Sequence, residues 1–146
     1  MKAVVANDHG AVKEAAMVLE HLKARGIEFT YLGTDKEESV DYPIQAEKAV
    51  MEFRKGGYDF GILLCGTGIG ISISANKMSG IRCALPQDKY AAEMTKKHNA
   101  SNFIAFGGRV EYKESIAEIL DAYIDAEFEG GRHQRRIHMM MQLEGK

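Results

Sequence analysis

The sequence predicts a single-domain α/β fold of three layers, with a five-stranded parallel sheet between helices and a short helical tail. Three observations predict it. Apolar runs of strand length alternate with amphipathic runs of helix length along the chain, the pattern of a parallel sheet covered on both faces. The 146 residues suffice for one core without staples. Finally, the apolar run Phe60 to Leu64 ends at Cys65-Gly66-Thr67-Gly68-Ile69-Gly70, and small residues follow from Ser72 to Ala75. A buried parallel strand hands over to a helix in this way. The architecture is Rossmann-like, and residues 1–128 are expected to form the α/β domain with 129–146 as its tail.

Ala3 to Ala6 reads as the first strand, and the following helix carries an inward stripe of Val12, Ala15, Ala16, Leu19 and Leu22 up to Gly26. Ile27 to Leu32 is the second strand, whose alternation of Phe29 and Tyr31 with Glu28 and Thr30 suggests a sheet edge. A polar loop spans Gly33 to Val40. Asp41-Tyr42-Pro43 opens the second helix, since Asp caps well and Pro is tolerated in a first turn. Its core stripe is Ala46, Ala49, Val50 and Phe53. After Gly56-Gly57 come the third strand and the glycine turn. Ile81 to Leu85 is the fourth strand, Gln87 to Lys97 the fourth helix, Asn102 to Phe106 the fifth strand and Tyr112 to Ala126 the fifth helix.

Composition narrows the function. With 45% apolar and 27% charged residues and a net charge of −2, nucleic acid is a poor partner. No apolar run approaches the roughly 18 residues of a membrane span, and Met1-Lys2-Ala3-Val4-Val5 leads straight into a strand. No membrane association and a cytoplasmic location are expected. Cys65 and Cys83 lie in or at the ends of strands, which suits reduced thiols better than a disulfide.

The glycine turn is the first candidate site. Bare amides at a helix start carry partial positive charge and suit a phosphate, carboxylate or enolate oxygen. Cys65 stands at their edge, where the same field favours thiolate, although such a cysteine also serves as an ordinary small hydrophobe. The spacing departs from G-x-G-x-x-G and lacks the lysine of a P-loop, so neither a dinucleotide nor a nucleoside triphosphate is indicated.

Ligands of doubly wound sheets bind outside the carboxyl ends of the strands, where strand order reverses, usually between strands one and three. Those strands end in Asn7-Asp8-His9-Gly10 and in Cys65 with its glycines, so two of the most polar strand ends are expected to meet. His98-Asn99 follows a helix antiparallel to the strands and should emerge at the opposite edge. If His98 and Cys65 share a site, a second copy of the chain must supply one of them. A histidine at a helix C-terminus is also favourable for the helix dipole alone. In the tail, Arg132 and Arg136 are four apart and share a face if the segment is helical, where they can grip one anion.

These residues resemble the family of type B ribose-5-phosphate isomerases and galactose-6-phosphate isomerase subunits. The resemblance is carried by Asn7-Asp8-His9-Gly10-Ala11, Asp41-Tyr42-Pro43, the Cys65 to Gly70 turn with Ala75-Asn76-Lys77, Gly80-Ile81-Arg82, His98-Asn99-Ala100-Ser101-Asn102, Gly107-Gly108-Arg109, and Gly130-Gly131-Arg132-His133-Gln134-Arg135-Arg136. It implies an aldose-ketose isomerase of phosphorylated sugars, most simply ribose 5-phosphate, that uses neither metal nor organic cofactor. By the same resemblance Cys65 is the base that moves a proton through an enediolate. Amides from Gly66, Thr67, Gly68, Ile69 and Gly70 receive the oxyanion, and Thr67 adds a hydroxyl. Free cysteine titrates near pH ~8.5, so the helix start is expected to favour the thiolate.

The resemblance further makes His98 the ring-opening acid/base with Asp8 orienting hydroxyls, and His9, Arg132 and Arg136 the phosphate clamp. Asn99 and Arg109 are further contacts, and Tyr42 borders the sugar. His133 and Arg135 read as structural or surface residues. Much of the family has Ser-Asp-His-Ala-Gly where this chain has Asn7-Asp8-His9-Gly10-Ala11, so the small residues are exchanged. The Met139-Met140-Met141 segment is expected to pack on a neighbouring subunit of a homodimer or tetramer.

The alternatives are a hexose-phosphate isomerase subunit, a catalytically silent sugar-phosphate sensor, a redox-active Cys65, and a metal site from His9, Cys65, Cys83 and His98. The last lacks any compact ligand spacing.

Overall fold

In the computed structural model, which describes residues 1–36 and 38–146, the parallel strands are β1 (Lys2–Asn7), β2 (Glu28–Tyr31), β3 (Phe60–Cys65), β4 (Cys83–Ala84) and β5 (Phe103–Gly107). Their order is β2-β1-β3-β5-β4, so strand order reverses between β1 and β3. The helices are α1 (Val12–Ala24), α2 (Tyr42–Phe53), α3 (Ile69–Asn76), α4 (Lys89–Asn99), α5 (Ile116–Ile124) and α6 (Arg132–Met141). Of the expected loop Gly33 to Val40, Glu37 lies outside the described residues.

Strand side chains alternate between two apolar layers because successive Cβ atoms point to opposite faces. Val4, Ala6, Leu63, Cys65, Phe103 and Ala105 pack with Ala46, Ala49, Val50, Ile71 and Ala75 of α2 and α3. Ala3, Val5, Ile62, Leu64, Ile104 and Phe106 pack with Ala15, Val18 and Leu22 of α1 and Ile119, Leu120 and Tyr123 of α5. Each fully buried Leu, Ile or Phe contributes roughly 1.5–3 kcal/mol. Phe53 is only partly buried and sets its ring against Phe103, with centroids 5.1 Å apart.

Several boundaries differ from the sequence reading, each for a local reason. In α1 the inward line is Ala15, Val18 and Leu22, whereas Ala16 is exposed. The fourth strand shrinks to Cys83–Ala84 because the Asn76 side chain takes its outer edge, accepting from Cys83 N at 2.7 Å and donating to Cys83 O at 2.8 Å. Helix α4 starts at Lys89, where the Asp88 carboxylate accepts from Ala91 N. Helix α5 starts late, at Ile116, because Ser115 and Glu118 form a reciprocal capping box. Asp41 precedes α2 without a side-chain capping bond. The second strand is an edge strand, as its alternation suggests.

The tail is helical. Its last residues fold back on the same subunit: Glu144 accepts from Ser79 Oγ and Gly80 N, and Met141 sulfur lies 3.6 Å from Arg82 Nη1. Met139 and Met140 remain exposed. The expectation that the whole Met-rich segment turns to a neighbour is therefore corrected at Met141. No helix among the described residues is long and apolar enough to cross a membrane.

Candidate active site

The site residues fall into two groups, one at each end of the sheet. At the carboxyl end β1 and β3 lie side by side, and Asp8 N donates to Leu64 O at 3.0 Å. The Asp8 carboxylate is buried and accepts from Gly10 N at 2.8 Å, which starts a short 3₁₀ turn, His9–Ala11. Asn7 is fully buried and donates to Asp8 O and to Thr34 O, while the Tyr31 hydroxyl donates to Asn7 Oδ1. Val40 N donates to His9 Nδ1 at 3.2 Å. That bond leaves the proton of a neutral His9 on Nε2, so the ring presents a donor outward.

Cys65 ends β3 and is buried, with Gly68 N donating to its Sγ at 3.2 Å. A bond of this kind is stronger to a sulfur anion than to a thiol. Gly68 has φ of 75°, a left-handed conformation that lets the chain reverse directly into α3. Ile69 N donates to Thr67 Oγ1 at 3.3 Å. The turn thus uses the amides of Gly68 and Ile69 itself, which corrects the expectation that all five amides face a ligand. Among the described residues, those of Gly66, Thr67 and Gly70 have no internal acceptor. Thr67 is exposed and Gly66 and Gly70 are half-buried, so these amides at the helix start are open to an anionic oxygen.

Arg109 and Tyr42 border this turn. Arg109 N donates to Gly66 O at 2.9 Å, and its guanidinium lies over Gly66 beside a cleft of about 440 Å³ shared with His9, Gly10 and Gly108. The Tyr42 ring covers Gly70 so closely that a Cβ there would meet its Cζ at 2.6 Å. The exchange of small residues has a local reason: a Cβ on Gly10 would approach Gly66 N to 2.8 Å.

The second group lies at the amino end. His98 and Asn99 close α4, and Arg82 caps that helix by donating to Asn99 O and Ala100 O. Asn102, just beyond, accepts from Gly61 N at the amino end of β3. Strand β3 rises roughly 16 Å over its length, so His98 and Cys65 of one chain stand at opposite edges. His98 stacks on His133 with centroids 4.2 Å apart and planes 4° from parallel. Arg136 joins His98, Asn99, His133 and Ile137 around a cavity of about 270 Å³, and Arg132 begins the same helix on its exposed side.

Of the two readings of His133, structural or surface, the structure excludes the surface one: its side chain is 7% exposed and lies directly on His98. Desolvation, then the charges of His98 and Arg132, hold its imidazole below the ordinary histidine range. The spacing to Ile137, four residues on and also buried, was the available signal. His9 and the two arginines of the expected phosphate clamp fall in different groups. The residues His9, Cys65, His98 and Cys83 are likewise not gathered as one set. Desolvation pushes the Cys83 thiol up, which makes it a poor resolving thiol for Cys65.

Comparison with known proteins places the chain in a family. A family model described as Ribose/Galactose Isomerase matches residues 3–140. The chain belongs to that family and is a sugar isomerase. Among individual relatives, ribose-5-phosphate isomerase B of Escherichia coli is 42% identical over 127 residues, covering 87% of this chain and 85% of the relative. Ribose-5-phosphate isomerase B of Clostridium thermocellum superposes with a TM-score of 0.94 at 41% identity, covering 99% of this chain and 97% of the other. The corresponding enzyme of Mycoplasma genitalium, solved with bound ribulose-5-phosphate, superposes with a TM-score of 0.91 at 31% identity, covering 99% and 97%.

Proposed function

We propose that this chain interconverts ribose 5-phosphate and ribulose 5-phosphate through an enediolate, with Cys65 as the base. The observation that carries the reading is the β1/β3 junction, where a thiol held by the Gly68 amide stands beside the free amides of Gly66, Thr67 and Gly70. A carbon acid next to a carbonyl needs such a base and preformed donors for the oxyanion. The relative solved with ribulose-5-phosphate supports the choice of sugar.

In this mechanism Cys65 removes the proton from C2 of the open-chain aldose, the amides hold the enediolate while the hydroxyl proton passes from O2 to O1, and Cys65 delivers its proton to C1. Thr67 and Asp8 orient the sugar hydroxyls, and Tyr42 and Arg109 border them. His98 opens the ring as acid/base, Asn99 holds a hydroxyl, and His9 with Arg132 and Arg136 grips the phosphate. Because His98, Asn99, Arg132 and Arg136 stand at the far edge of their own sheet, they act on the Cys65 of a second copy in a homodimer. The segment 129–146 serves here as the arm that completes a neighbour's site. Exposed Tyr42, Ile44, Ile69 and Ile73, beside the glycine turn, give that neighbour an apolar footing.

The test is proton transfer in deuterated water with ribose 5-phosphate, allose 6-phosphate and galactose 6-phosphate, followed by NMR. Conversion with deuterium uptake beside the carbonyl is expected with ribose 5-phosphate, reduced about 10²- to 10⁴-fold in Cys65→Ala. Faster conversion of a hexose phosphate would overturn the choice of sugar. Binding without exchange would overturn catalysis in favour of a sensor.

A further inference from the structure

At the amino-end cleft, one ligand atom each of His98, Glu129 and His133 lies within 4.8 Å of the other two. Glu129 Oε2 is 3.7 Å from His98 Nε2 and 3.6 Å from His133 Nε2, too far for hydrogen bonds to either. His133 Nε2 is buried with no partner among the described residues, although its side chain is only 7% exposed. An orphaned nitrogen that deep normally has a ligand or a water on it.

The backbone holds the three together. Glu129 N donates to Lys97 O at 3.1 Å, which fixes Glu129 beside His98. His133 N donates to Gly130 O at 3.0 Å across the Gly130-Gly131 turn, which returns His133 to the same point.

We propose that His98, Glu129 and His133 form a binding site for one divalent transition-metal ion of zinc-like chemistry. Two imidazoles and one carboxylate are a ligand set for such an ion, whereas Mg²⁺ and Ca²⁺ require oxygen ligands. Bonds of about 2.0–2.2 Å to a tetrahedral ion place neighbouring ligand atoms roughly 3.3 Å apart, so the Glu129 separations close by a few tenths of an ångström. The lone pairs of two parallel rings do not converge. His98, with a side chain 36% exposed at a helix end, is the ring with room to tilt. Arg136 on the same cavity, and Arg132 nearby, oppose the ion's charge, so binding is weaker than in a closed four-ligand site.

The ion takes Nε2 of His98, the residue assigned above to ring opening, so metal loading silences that step. This consequence rests on the isomerase reading; the binding itself does not and is measured without substrate. Protein carrying Cys65→Ala, so that this thiol cannot compete, is stripped with EDTA and desalted. It is then titrated with Zn²⁺ against a chromophoric chelator and with Co²⁺ by visible absorption. One ion per chain is expected, with an intense tetrahedral Co²⁺ spectrum and no competition from Mg²⁺. Glu129→Gln and His98→Gln, exposed and half-exposed positions whose folding is checked by circular dichroism, are each expected to weaken Zn²⁺ binding at least tenfold. Absence of stoichiometric binding, or equal affinity in both folded variants, overturns the proposal.

Discussion

The carboxyl-end and amino-end clefts of this domain are built by opposite means. Asp8, Cys65 and the glycine turn sit on the ends of buried strands, and their polar atoms are bound locally, to Gly10 N and Gly68 N. His98 sits at the end of α4 and His133 at the start of α6, with Arg136 about one turn further along, and the stacked imidazole pair leaves one ring nitrogen orphaned. The carboxyl end has a thiol and unpaired amides on the glycine turn, with His9 and Arg109 lining the cavity beside it; the amino-end cavity is lined by two imidazoles and Arg136, with no thiol. The thiol and the unpaired amides belong to the first alone, and the stacked imidazole pair to the second. The sheet positions the groups that must be exact, and the tail supplies long cationic side chains that reach outward.

Subunit mixing tests that complementarity most severely. Cys65→Ala and His98→Ala proteins should each be nearly inactive, yet random exchange between dimers should restore roughly a quarter of wild-type activity. If exchange is shown by mass and no activity returns, the two clefts do not belong to one site. A smaller effect is expected from Arg136→Ala. Loss of a charge-assisted phosphate contact should raise KM about 10- to 100-fold with kcat little changed, and an equal fall in kcat would place Arg136 on the reacting atoms instead.

Gly10→Ala sharpens the contrast from the other side, because a methyl there meets Gly66 N. Overpacking of this rigid junction should cost about 1–3 kcal/mol in urea unfolding, whereas Gln134→Ala, on the exposed face of α6, should leave the midpoint within error.

The smallest effect concerns pH. His133 is held below the ordinary histidine range, so its folded state prefers the neutral ring. Stability from that preference is present above the unfolded value of about 6.5 and is lost as pH falls below it. Wild-type melting temperature, in EDTA, should therefore drop between pH 7.5 and 5.5 slightly more than that of His133→Gln, with Glu129, His98, Arg132 and Arg136 unchanged around it. An equal drop in both would show that His133 does not carry this dependence.

The sequence by itself determined the parallel sheet, the edge position of Glu28–Tyr31, the glycine turn and the carboxyl-end cleft. These follow from local patterns: apolar runs set strands, small residues set the turn, and chain direction puts both strand ends at one edge. It also placed His98 away from Cys65, because helix and strand directions alternate. The exact start of α5 and the length of β4 depended on side-chain bonds, Ser115 with Glu118 and Asn76 with Cys83, that compete with simple periodicity. Only the tertiary structure decided that His133 lies on His98, with Glu129 beside both. Glu129 and His133 are a short step apart in the chain, but His98 meets them only when α6 packs at the end of α4, and such a packing contact leaves no period in the sequence to read.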